Sequence, residues 1–123
     1  MRWSELAEWQ WLDYGQYHQT RRNLLLHVVA VPAFLFGNVV VLAGIFAWTW
    51  WMSLAGVVIS AVSFGVQGLG HKGEPVPPVP FKGPANLLAR MVTEQWVTFP
   101  RFLLSGQWGE NLRRSSRPPG SPA

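Results

Sequence analysis

Polar and apolar positions follow three different patterns along the chain, and the middle one sets the reading of the other two. From Asn23 to Gly70 there is no Lys, Arg, Asp or Glu, and two apolar blocks, Val28 to Trp51 and Met52 to Leu69, follow one another directly. A helix on a soluble core shows a polar face and an apolar repeat every three or four residues. Here only Asn38, Gln67 and a few Ser and Thr interrupt blocks that are apolar all round. A hydrocarbon core of roughly 30 Å is crossed by about 20 helical residues, so the stretch is long enough for two crossings and too long for one. The expectation is a helical hairpin in a membrane, turning between Trp48 and Ser53, where a tryptophan cluster suits the headgroup level. The competing reading, a soluble hairpin, is disfavoured by the missing polar face.

Before the hairpin, Trp3 to Tyr17 reads as a short interfacial helix, with Ser4 as its N-cap and Glu5 in its first turn. Thr20 is placed to cap the first long helix, which carries Pro32 early in its course. In the second, Gly56 with Ser60 and Ala61 with Gly65 recur at the spacing of four that lets helix backbones approach closely in lipid. Pro75 to Pro80 must be extended, because proline fixes φ and lacks the N–H. From Ala85 to Leu104 a helical period returns, with Leu88, Met91, Val92, Gln95, Phe99 and Phe102 on one face. Arg90, Glu94 and Arg101 fall on the other, where Arg90 and Glu94 can pair, and Pro100 is expected to kink the helix. The predicted fold is an all-α membrane protein, a two-pass helical hairpin flanked by an N-terminal and a C-terminal interfacial amphipathic helix. It forms one domain over residues 1–112, followed by a disordered basic, Pro- and Ser-rich tail over 113–123.

Charge orients this picture. All ten Lys and Arg lie before Asn23 or after Gly70, on the two flanks of the hairpin. The positive-inside bias makes that side the cytoplasm and puts both termini there. The net charge of +4 does not form an aromatic-interleaved patch, so nucleic acid is not an expected partner. Without cysteine, disulfides, thiolate metal sites and a cysteine nucleophile are excluded. Met1 to Asp13 contains acidic residues and no apolar core, so no signal peptide is read there.

The candidate chemistry gathers at one end of the hairpin. His18 precedes the first long helix, His27 lies one to two turns inside it, and His71 ends the second. Ionisable groups at a membrane boundary are costly to bury and mark function by default. Glu74 lies three residues beyond His71, Gln67 four before it, and Asn23 four before His27. Imidazoles with a carboxylate suit non-haem Fe(II) or, less specifically, Zn or Mn. Asn23 and Gln67 then read as partners that fix ring orientation. One constraint is geometric: nine residues separate His18 from His27, half a turn out of phase on one helix. Either the chain breaks between Gln19 and Asn23, or His18 is not a ligand. There is no Gly-rich phosphate loop, no nucleophile elbow and no carboxylate pair in the apolar segment.

Tyr17-His18, then Asn23-x-x-x-His27 followed by Val31-Pro32, and later Gln67-Gly68-x-Gly70-His71 with a nearby Glu, resemble the Mpo1-like family over roughly Tyr14 to Leu104. Thr93-Glu94-Gln95-Trp96 and Phe99-Pro100-Arg101-Phe102 suggest a bacterial branch of it, and hence an integral protein of the inner membrane. The resemblance implies a membrane enzyme that uses Fe(II) and O₂ to shorten 2-hydroxy fatty acids by one carbon. It implies His18, His27 and His71 as catalytic metal ligands, with Glu74 as the accompanying carboxylate. Arg21, Arg22 and Lys72 are placed to attract the substrate carboxylate at the headgroups. The alternative is a non-catalytic membrane scaffold or lipid-binding protein with a structural histidine cluster.

Overall fold

A computed structural model describes residues 2–116, whose only regular elements are helices, with no strand among the described residues. The two apolar blocks become α2 (Arg21–Phe46) and α3 (Trp50–His71). At 1.5 Å per residue they are roughly 39 and 33 Å long, each enough to cross a membrane core. They are not the core of a globular domain. Phe36 and Val62, in the middle of the two helices, are each 61% exposed. The chain reverses at Ala47–Thr49, where Trp48 takes φ 53°, at the start of the span expected from the tryptophan cluster; Trp50 to Ser53 already belong to α3.

Small residues bring α2 and α3 together. A Cβ on Gly37 would come within 2.5 Å of the Ser60 hydroxyl and 2.9 Å of the Gly56 carbonyl oxygen. One on Gly56 would reach 2.5 Å from the Gly37 carbonyl oxygen, so neither position accepts a side chain without the helices parting. The expected Gly56–Ser60 pair thus lies at the contact. Gly65 does not: nothing approaches it, and Ala61 is exposed beside a groove.

The other elements pack around the open end of the hairpin. The expected first helix divides into α1 (Trp3–Leu12), N-capped by Arg2 rather than Ser4, and a 3-10 turn (Tyr14–Tyr17). After α3 the proline-rich segment runs irregularly to α4 (Pro84–Thr93). A π turn over Glu94–Thr98 then leads into α5 (Phe99–Leu104). Pro100 explains the widening: its ring presses on the carbonyl four residues back and it has no N–H to offer. The amide of Phe99 instead reaches the Glu94 carbonyl, five residues back. The wider turn shifts the faces of this helix. Phe99 and Phe102 are buried as expected, whereas Leu88 and Val92 are exposed and Glu94 turns inward.

Gly106 (φ 89°) starts α6 (Gln107–Ser115) in the left-handed region that glycine tolerates. This helix takes Arg113 and Arg114 out of the expected disordered tail and makes them its last turn; residues 117–123 lie outside the described residues. The core is formed by Tyr14, Leu24, Val31, Phe99 and Phe102, with Trp11, Trp108 and Leu112 packed against it. It adjoins the histidines, so the same residues that hold the fold hold the site.

Candidate metal centre

Each histidine arrives from a different piece of backbone. His18 terminates the 3-10 turn with φ −137° and ψ 66°, and Thr20 (φ −77°, ψ 144°) N-caps α2, its hydroxyl accepting from the Asn23 amide at 3.3 Å. The chain therefore breaks between Gln19 and Asn23, and that break removes the phase conflict between His18 and His27. The imidazole centroids lie 4.6 Å (His18–His27), 4.7 Å (His18–His71) and 5.2 Å (His27–His71) apart.

The tautomers follow from the partners. His18 Nδ1 lies 2.8 Å from the Tyr14 carbonyl oxygen and His27 Nδ1 3.1 Å from that of Asn23. A carbonyl only accepts, so each Nδ1 carries the proton and each Nε2 presents its lone pair. Both Nε2 atoms and His71 Nδ1 are buried without a partner, a costly state for polar atoms. A carboxylate completes the group: Glu94 Oε2 is 3.6 Å from His18 Nε2 and 4.0 Å from His27 Nε2. One ligand atom from each of His18, His27, His71 and Glu94 lies within 4.8 Å of all the others. Metal–ligand bonds of about 2.0–2.2 Å separate neighbouring donors by roughly 3–4 Å. The set fits a metal ion once its widest separations, up to 4.8 Å, close by about 1 Å, and three orphaned nitrogens would gain the partner they lack.

Glu94 is tuned for this position. Burial alone would raise its carboxyl. When His18 and His27 carry a second proton on Nε2, the hydrogen bond and charge of His18, the charge of His27 and the Tyr14 hydroxyl outweigh burial and hold it at about 2. Tyr14 donates to Glu94 Oε2 at 2.8 Å. Its own phenol is pushed well above the usual range by burial, then by the Glu94 charge and hydrogen bond, so it stays a donor.

The expected carboxylate, Glu74, is not in the group. Its two oxygens accept from the Gln19 amide (2.8 Å), the Thr20 amide (3.0 Å) and hydroxyl (2.9 Å), and Asn23 Nδ2 (2.9 Å). These bonds fix the break before α2, so Glu74 shapes the backbone that delivers His18. Asn23 orients His27 through its backbone carbonyl, while its side chain is spent on Glu74 and Tyr17. Gln67 reaches no histidine. It exchanges two hydrogen bonds with Gln95, at 2.9 and 2.7 Å, and so docks the π turn onto α3.

Two cavities reach the cluster. One, of about 150 Å³, is lined by Trp9, Tyr14, Tyr17, His18, His71 and Arg90 among others; a second, of about 180 Å³, by Phe64, Gln67, Gly68, His71, Arg90 and Glu94 among others. Arg21, Arg22 and Lys72 line neither, and all three are exposed; Arg21 donates to the Ser116 hydroxyl. The cation common to both is Arg90. Its guanidinium packs on Trp9 and Phe81, donates to the Val79 and Pro80 carbonyls, and keeps a buried Nε free of partners. A continuous α period puts Arg90 and Glu94 on an outer face; the π turn over Glu94–Thr98 breaks that period and turns them inward, and Pro100 is its signal in the sequence.

Fold and site together define an all-helical protein with two helices long and apolar enough to span a membrane. At their open end they carry a three-histidine, one-carboxylate group with the donors of a metal centre. The chain belongs to the Mpo1-like family: the family model described as "2-hydroxy-palmitic acid dioxygenase Mpo1-like" matches residues 4–100. No curated protein and no solved structure matches the chain. The match stops inside α5, so α6, whose Asn111 donates to the Gly15 and His18 carbonyls and whose Trp108 donates to Leu24, lies outside it.

Proposed function

We propose that this protein is an Fe(II)-dependent dioxygenase that shortens 2-hydroxy fatty acids by one carbon. The observation that carries the proposal is the gathering of His18, His27, His71 and the Glu94 carboxylate, one ligand atom of each within 4.8 Å of the others and each histidine holding a buried nitrogen without a partner, in a chain whose family is described as a 2-hydroxy-palmitic acid dioxygenase. The stoichiometry closes without a co-reductant: R–CH(OH)–COOH and O₂ give R–COOH, CO₂ and H₂O, the substrate losing the four electrons that O₂ gains. His18, His27, His71 and Glu94 would hold the metal. Ferrous iron there would supply the activation of O₂ and open positions that a hydroxyl and carboxylate on adjacent carbons can chelate.

The chain's own groups do the rest. Arg90, at the wall shared by both cavities, is the cation placed to pair with the substrate carboxylate. Tyr14 keeps its proton and directs it at Glu94 Oε2, which orients the carboxylate without neutralising it. The Tyr14, Phe99 and Phe102 rings around His18 and His27 keep water from that side of the site.

In this reading α2 and α3 cross a bacterial inner membrane, with both termini on the cytoplasmic side that carries every Lys and Arg. Oxygen uptake by purified, iron-loaded protein tests the function. It is expected with 2-hydroxy fatty acids and absent with their unsubstituted parents; equal uptake with both would overturn the proposal.

A further inference from the structure

A groove of about 690 Å³ opens between α2, α3 and α4, lined by Phe34, Asn38 and Leu42 on α2, Val57 and Ala61 on α3, and Trp96 beyond α4, among others. Phe64 and Met91 belong both to its wall and to that of the cavity at His71 and Glu94, so the two spaces adjoin. Polarity falls along this path. It starts at Arg90, Glu94 and His71, passes the two shared side chains, and runs between the long helices toward the hairpin turn. The polar side chains of the groove wall, Asn38, Ser60 and Trp96, satisfy one another. Trp96 Nε1 donates to Asn38 Oδ1 at 3.0 Å, and Asn38 Nδ2 to the Ser60 hydroxyl at 2.8 Å. That bridge also pins the third wall to the hairpin.

We propose that this groove is the acyl-chain site, receiving the tail of a long-chain 2-hydroxy acid whose head lies at Arg90 and the histidine cluster. The assignment rests on the proposed reaction for its head group and on the continuity of the two cavities for its tail. From Phe34 to Leu42 the groove follows eight residues of α2, roughly 12 Å. An extended chain advances about 3.5 Å per three bonds, so this length takes about ten bonds, before the distance past Phe64 and Met91 is added. Medium and long chains fill it; a short hydroxy acid does not reach it. A tail coming from lipid gains little by leaving one apolar medium for another, so the groove acts by positioning. It aligns the first two carbons with the metal-binding group and selects length.

The test uses the full chain in detergent–lipid micelles. A 2-hydroxy fatty acid carrying a diazirine near its methyl end should label Asn38 to Leu42 and Val57 to Ala61, and one carrying it near the head should label Phe64 or Met91. Labelling spread over the outward Phe36 and Val62 would overturn the proposal. So would equal groove labelling by a phospholipid bearing the same diazirine that the free acid does not displace. A second arm reads chain length. Ala61→Trp narrows the groove and should shift preference toward shorter acids by about tenfold or more, whereas Val62→Trp, on the outer surface, should not. A uniform loss at all lengths would contradict a groove that measures the tail. If the wild type turns over no 2-hydroxy acid of any length, the reaction is wrong, and the labelling pattern still decides the groove.

Discussion

Replacing Glu94 by Gln keeps the side chain's shape and removes the charge that faces His18 and His27. Metal retention should fall by at least the 10–100-fold that accompanies loss of an outer partner, read as metal per protein after dialysis. Glu74→Gln should do the reverse. It weakens bonds to the Gln19 and Thr20 amides, lowers stability by about 2 kcal/mol, and leaves the metal in place. Metal and protons compete for the same imidazole lone pairs, so retention should rise with pH and be lost on acidification. Glu94 does not set that loss, because its depressed carboxyl stays ionised until far more acid conditions. The stability its charge contributes is present above the ordinary carboxyl range and disappears only as the pH falls toward about 2. The three histidines were legible in the sequence, since all of the chain's histidines fall in or beside the two ends of one charge-free stretch. Glu94 was not legible, because its inward turn depends on the register of the π turn, and Pro100, the residue that signals that turn, marks a simple kink equally well.

That register belongs to the π turn. Phe99 follows Glu94 by five positions, the hydrogen-bond span of a π helix and slightly more than one of its turns, so both side chains face nearly the same buried side. Deleting Val97 should restore an α turn and swing Glu94 away from His18. Metal binding is then lost while helical circular dichroism is kept; unchanged metal content would show that the turn does not deliver Glu94. The hairpin was read more fully, because its length, its lack of charge and its small residues each follow from elementary spacing. Even there the sequence could not distinguish Gly56–Ser60, which meets α2, from Ala61–Gly65, which does not. Which side of α3 faces its partner is fixed by Gly37 and Gly44 across the contact. Gly56→Ala should cost about 1–3 kcal/mol as overpacking, seen as a lower melting temperature in detergent.

For the whole molecule, the hairpin supplies two of the four candidate ligands and the elements around its open end supply the others. Assembly of that end and of the metal centre is therefore one event. Reporter fusions at Met1 and Ala123 should place both ends in the cytoplasm, and opposite sides would overturn a two-pass topology. The claim on which the rest depends is that the cluster cleaves the bond between C1 and C2 of a 2-hydroxy acid. The most direct measurement follows a 2-hydroxy fatty acid labelled with carbon-13 at C1 through incubation of the iron-loaded protein in air, with products identified by mass. The account predicts labelled CO₂ and an unlabelled fatty acid one carbon shorter, in equal amounts. A product that retains the label at C1, or an acid recovered with all its carbons, would contradict it.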